Sequence, residues 1–197
     1  MFGIQEFLQM EPPPKEIPIT KYEAGIGQLE TAIILWFNEG HPVAVHTLAV
    51  AADDCLNSLK KHKTKTPSPI RIAIKKLPRK VQDAWHESQN FFKHGDKELR
   101  RTLRFFPLIT DLILMNAVIS HANLRNDPTS LILAFLFRFQ IEQPAFAAPF
   151  KGAYKPLYQL FTIDPSEELT RPQFFEKYFP RIEYIMNSPV VLDGPIA

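Results

Sequence analysis

Prolines punctuate this chain, and they fall at the starts of its apolar stretches. Among 18 prolines, Pro42, Pro78, Pro107, Pro128 and Pro172 each open a segment whose apolar residues recur every three or four positions. Proline has no N–H and a fixed φ of about −65°, so it suits the first turn of a helix and interrupts a sheet ladder. Glycine occurs only 7 times, which leaves few residues for the tight turns of a β-hairpin protein. The chain is therefore predicted to be all-α: an antiparallel bundle of about five helices with a Pro-rich loop and a C-terminal helix.

Periodicity supplies the segments. Residues 1–20, with Pro12-Pro13-Pro14 and Pro18, read as an extended arm, and 21–197 as one helical-bundle domain. Tyr22, Ile26, Leu29, Ile33 and Trp36 share a face and predict a helix over 22–37, stopped at Asn38-Glu39-Gly40. Gly25 and Gly27 within it read as close-packing sites. His41-Pro42 opens a second helix, with Leu48, Ala52, Cys55, Leu56 and Leu59 expected inside and His46, Asp53, Asn57 and Lys60 outside. Ile70 to Ile74 reads as a short strand or turn.

Between Pro78 and Gly95, Val81, Trp85, Ser88 and Phe92 form one helical face, opposite Gln82, His86, Gln89, Asn90 and Lys93. Two strongly apolar helices follow, from Pro107 to about Asn123 and from Pro128 to about Gln140. The second is apolar nearly all round, which predicts a homodimer interface along Leu131 to Phe139. Residues 141–170 read as a wrapping loop, and Thr170-Arg171-Pro172 starts a last helix with Phe175, Tyr178, Phe179, Ile182 and Met186 on one face and a bend at Pro180. The expected core is Trp36, Leu48, Leu56, Trp85, Phe92, Leu112, Ile119, Phe135 and Phe139.

Several function classes fall away on composition. The one cysteine, Cys55, precludes an internal disulfide and fits a reducing compartment. Asp111 and Arg138 interrupt the apolar runs, and Met1 to Met10 carries Glu6 and no basic start, so a cytoplasmic protein without a membrane segment is expected. His41, His46, His62, His86, His94 and His121 stand in no His-Glu-x-x-His or Glu-x-x-His pattern, so neither a metal nor another cofactor is expected. His46 and Asp53 read as surface polarity. The net charge is only +2, but Lys60 to Lys80 holds nine Lys or Arg and no acid, leaving 14 basic against 21 acidic residues elsewhere. Such a strip can follow a phosphate backbone, with Lys75, Lys76, Arg79, Lys80, Arg100 and Arg101 as expected nucleic-acid contacts.

The tract Gln89-Asn90-Phe91-Phe92-Lys93-His94 resembles the signature of the HEPN superfamily, small helical bundles that include many prokaryotic RNases. Their motif is Arg followed after four to six residues by His, commonly as Arg-Asn-x-x-x-His. Asn90 and His94 match it at the right spacing; Gln89 stands where Arg is usual. The chain is also similar to small uncharacterised bacterial proteins whose motif helix ends in Asn-Phe-Phe-Lys-His, over roughly residues 21–125.

The resemblance implies metal-independent RNA cleavage at a dimer interface, with His94, Asn90, Gln89 and Lys93 at the site. Histidine is the side chain that titrates near neutral pH and so suits a base for the 2′-OH. A cation is needed on the phosphoryl oxygens, and a glutamine lacks both the charge and the bidentate fork of arginine. Lys93, Arg100 or Arg101 would have to supply it. Two readings follow: an RNA-binding, weakened or inactive endoribonuclease, and a non-catalytic homo-oligomeric interaction protein that binds a protein partner.

Overall fold

The computed structural model describes residues 16–147, apart from 67, 77, 94–99, 101 and 126, and residues 167–188. Its helices are α1 (Lys21–Phe37), α2 (Pro42–Thr64), α3 (Pro69–Lys75), α4 (Arg79–Lys93), α5 (Pro107–Leu124), α6 (Ser130–Glu142), the single turn α7 (Pro144–Ala147) and α8 (Arg171–Asn187). No strand occurs among the described residues, so the protein is all-α. The segments 1–15 and 148–166, which include most of the expected arm and loop, lie outside the described residues.

The helix starts follow the local chemistry. Thr20 and Glu23 form a reciprocal capping box at α1: the Glu23 N–H donates to Thr20 Oγ1 at 3.1 Å, and the Thr20 N–H donates to Glu23 Oε2 at 2.7 Å. Thr170 and Gln173 do the same at α8. Pro42 and Pro107 occupy the first turns of α2 and α5. At α6 the cap is Thr129, so the helix begins just past Pro128 rather than at it.

Helix α2 is the central element. The chain reverses at 38–41, and α2 packs along α1 on one side and along α5 on another. This double contact overturns the expected faces of α2. Val45, His46, Ala49, Val50, Ala52, Asp53, Leu56 and Lys60 are buried, whereas Leu48, Cys55 and Leu59 are only half-buried. Held between two others, α2 keeps only one narrow solvated side, along Thr47, Asp54, Ser58 and Lys61. Its buried polar residues stay inside because partners from neighbouring helices meet them.

A second correction concerns 70–74. These residues form α3, with Ile70 and Ile74 buried one turn apart and Ile72 exposed. Alternating isoleucines suit a strand, but among helices a strand has no partner for its backbone groups. One helical turn instead satisfies them internally and buries two side chains at i and i+4.

Much of the expected core is buried: Trp36, Leu56, Trp85, Ile119, Phe135 and Phe139, with Leu48, Phe92 and Leu112 half-buried. In α8 the buried residues are Phe174, Tyr178 and Ile182, while Phe175, Phe179 and Met186 pack half-buried against the core, and Pro180 lies inside the helix. Phe37 lies parallel to Phe174 at a centroid distance of 6.2 Å and meets Phe175 at a tilt at 4.7 Å. Ile132 to Phe139 of α6 are buried within the chain itself, so the apolar circumference that predicted a dimer face is already covered. Helix α5 is the one described helix long and apolar enough to cross a membrane, and 61% of that window is buried in the protein. It also carries buried Asp111, Asn116 and His121.

The two glycines of α1 separate cleanly. A Cβ on Gly25 would meet Leu56 Cδ2 and Cγ at 3.0 Å and Cys55 Cβ at 3.1 Å, whereas one on Gly27 would meet nothing within 4 Å. Gly25→Ala is therefore expected to destabilise by about 1–3 kcal/mol through crowding. Gly27→Ala should stabilise by about 0.5–1 kcal/mol through helix propensity. Urea denaturation of the two variants checks the opposite signs; a gain from Gly25→Ala would show that α1 and α2 separate more readily than this packing implies.

Candidate functional site

The motif helix α4 forms as its periodicity requires. Trp85 and Ser88 are buried, Phe92 is half-buried, and His86 and Asn90 are exposed on the other side. Gln89 and Lys93 belong to α4, but their side chains, like His94 and Arg101, lie outside the described residues. The structure thus places one member of the motif, Asn90, on the solvent side of α4.

Of the basic strip, only a part remains free to meet a ligand. Lys60 is buried, Lys63 donates to the Leu124 carbonyl at 2.9 Å, and Arg71 holds Asp53 at 2.6 Å and Asp54 at 3.6 Å. Arg79 pairs with Asp83 at 3.0 Å, one turn along α4. Lys75, Lys76, Lys80 and Arg100 are exposed, and none forms an ion pair with a described residue. Of these, Lys75, Lys76 and Lys80 stand at the corner between α3 and α4, Arg100 follows α4, and the exposed Lys61 and Lys65 of the strip lie at the end of α2.

Asp53, which the sequence pattern assigned to the surface, instead holds that corner in place. Its carboxylate accepts from Arg71 of α3 and from Asn116 Nδ2 of α5, and Asn116 Oδ1 in turn accepts from Ser68, just before α3. Burial raises the Asp53 pKa, while Arg71 and Asn116 oppose that shift. Burial likewise lowers the Lys60 pKa, with Asp53 pulling it back up.

His46 is the other residue misread as surface. It is 1% exposed, its Nδ1 lies 2.9 Å from Thr110 Oγ1, and its Nε2 has no hydrogen-bond partner. Phe92 and Phe105 meet its ring edge-on at 5.5 and 5.1 Å. His46 is thus the point where the end of the motif helix touches α2 and α5. Burial alone pushes its pKa down to about 4, which makes it neutral, and a poor base, at neutral pH. The signal was present in the sequence: His46, Asp53 and Lys60 recur every seven residues, and all three are buried along α2.

A cavity of about 420 Å³ lies beside this junction, where α2, α5 and α8 begin and α1 and α6 end. Two arginines and two carboxylates wall it. Glu142 accepts from Arg138 Nε at 2.7 Å and from Arg171 Nη2 at 2.7 Å, and Asp111 accepts from Arg171 Nη2 at 3.1 Å and from Trp36 Nε1 at 2.7 Å. The Arg171 guanidinium also covers the Trp36 ring at 3.8 Å. Burial raises the Asp111 pKa against the pull of Arg171. None of these residues was a sequence candidate, because the two carboxylates and two guanidiniums come from three helices far apart in the chain. Among the described residues no group of three His, Cys, Asp or Glu side chains could hold a metal ion.

Comparison with protein-family models, with curated proteins and with solved structures finds no match in any of the three. The functional reading therefore rests on the residues and their geometry.

The His46 environment makes stability depend on pH in a defined direction. The folded protein keeps this ring neutral down to about pH 4, whereas the unfolded chain protonates it near its ordinary value of 6.5. Between those values the unfolded state binds more protons, so this group's contribution is full above about pH 6.5 and falls, by up to about 3 kcal/mol, as the pH drops toward 4. Asp53 and Asp111, whose pKa values are raised, work in the opposite sense. His46→Gln should flatten the loss of stability between about pH 7 and pH 4.5 in chemical denaturation. An unchanged pH dependence would assign the titration to other groups.

Proposed function

We propose that the chain is an HEPN-like RNA-binding protein whose metal-independent endoribonuclease chemistry is weak or lost. One observation carries the reading: Lys75, Lys76 and Lys80, exposed and without an ion pair to a described residue, stand at the corner that leads into α4, the helix whose outer face bears Asn90. Affinity for a polynucleotide comes chiefly from such cations, and RNA cleavage by its own 2′-OH needs a base beside them. In this proposal Lys75, Lys76, Arg79 and Lys80, with Arg100 and Arg101, track phosphates; His94 takes the 2′-OH proton and Asn90 orients it. Gln89 donates to a phosphoryl oxygen without offsetting its charge, and Lys93 supplies part of the missing cation.

A homodimer belongs to the same proposal, through a face other than α6. The non-catalytic interaction protein is the second reading, favoured by Phe106 and Leu108, which are 58% and 36% exposed at the start of α5. In that reading the patch, rather than the lysines, meets a protein partner.

Two measurements separate them. RNA binding should fall steeply with salt, with a slope of about −0.7 in log–log form per phosphate contact, and reversing Lys75, Lys76, Arg79 and Lys80 to Glu should weaken it for every sequence. Absence of RNA binding at low salt would sink the first reading. Cleavage in EDTA should be weak in the native protein and rise in Gln89→Arg, since one electrostatic donor is typically worth on the order of 10²–10³ in rate. A further His94→Ala should abolish the gain. Strong native cleavage that survives His94→Ala would refute the site assignment.

A further inference from the structure

We propose that the cavity bounded by Trp36, Arg138, Glu142 and Arg171 binds a small organic monocarboxylate. The volume of about 420 Å³ falls in the range of small-molecule pockets, which run from about 300 to 1,000 Å³. Its walls already bond to one another in a way that leaves donors over. Glu142 takes the Nε of Arg138 and the Nε and Nη2 of Arg171, and both Asp111 oxygens are occupied by Trp36 and Arg171. Arg138 uses its Nη2 on the Leu169 carbonyl at 2.7 Å, and its side chain is only 10% exposed. The Nη1 groups of both arginines make no hydrogen bond to a described residue. Thr170 Oγ1 accepts from the Gln173 N–H, so its own proton remains to be donated.

Among the described residues, then, the cavity walls leave donors rather than acceptors unmatched. The four central charges cancel, and Glu39 on the rim adds one negative charge, which opposes any anion and a dianion most, so a single carboxylate meets the smaller penalty. A carboxylate also matches the planar fork of a guanidinium. Val45, Pro42 and Pro107 supply an apolar wall for the rest of the molecule. This inference does not rest on the RNA-binding proposal, whose lysines Lys75, Lys76 and Lys80 do not line the cavity.

The test is ligand binding to the whole chain, followed by ligand-observed NMR and by the melting temperature, with benzoate and hexanoate against their amides and inorganic phosphate. Both carboxylates should bind in the millimolar range and raise the melting temperature, and the amides and phosphate should not. Val45→Phe, which fills the apolar wall without touching the ion pairs, should weaken carboxylate binding by about tenfold or more. Glu39→Lys, at an exposed rim position, should tighten it about threefold, as exposed charge pairs do. The second variant decides the matter if the first does not fold. No carboxylate binding, equal binding of amides, stronger binding of phosphate, or no response to Glu39→Lys would each overturn the proposal.

Discussion

Glu142 is the side chain on which the architecture around the cavity turns. Its two oxygens receive Arg138 from its own helix and Arg171 from α8, and Arg171 passes the connection on to Asp111 of α5 and the Trp36 ring of α1. Four helices are tied by one charge-neutral cluster. Such a cluster adds little when compared with apolar packing, because desolvating four charges offsets most of their attraction. Its effect is on specificity. With one member missing, a buried charge is left uncompensated, so α8 has one seat in which every charge is met. Phe37, Phe174 and Phe175 then pack in that seat.

A second buried cluster performs the same task for the motif helix. Ser68, Asn116, Asp53 and Arg71 join α2, α3 and α5, and α3 in turn delivers the chain to α4. Helix α4 itself buries Trp85 and Ser88 and touches the core through Phe92 against His46. The exposed Lys75, Lys76 and Lys80 are therefore displayed by a corner that a buried carboxylate holds. Any nucleic-acid contact at this corner is linked by that route to the interior of the protein.

Helix type and position were largely legible in the sequence, since they depend on local chemistry: proline and threonine at first turns, and apolar residues spaced by three and four. The buried face of α4 followed from Trp85 and Phe92, and the close approach of α1 to α2 from Gly25. The second buried face of α2 showed in the sequence only as the seven-residue recurrence of His46, Asp53 and Lys60, which reads as a solvated stripe. A pattern of apolar residues points to one buried side, but α2 touches α1 and α5 at once, and His46, Asp53 and Lys60 enter the interior on the second side. Ile70 to Ile74 was misread for a related reason: three alternating β-branched residues favour a strand locally, and only the packing of Ile70 and Ile74 on the core favours the short helix.

By itself, then, the sequence determined an all-α chain, the approximate ends of its helices, and a motif helix with an apolar face and a polar one. These properties follow from periods of three to four residues and from caps a few residues long. Tertiary structure alone decided which polar groups are buried and what they meet. Arg138 and Glu142 are an i,i+4 pair that one helix sets side by side, but Trp36, Asp111 and Arg171 come from the rest of the chain, and nothing local encodes their meeting with that pair. Charges so far apart in sequence become partners only when helix packing excludes water from the space between them.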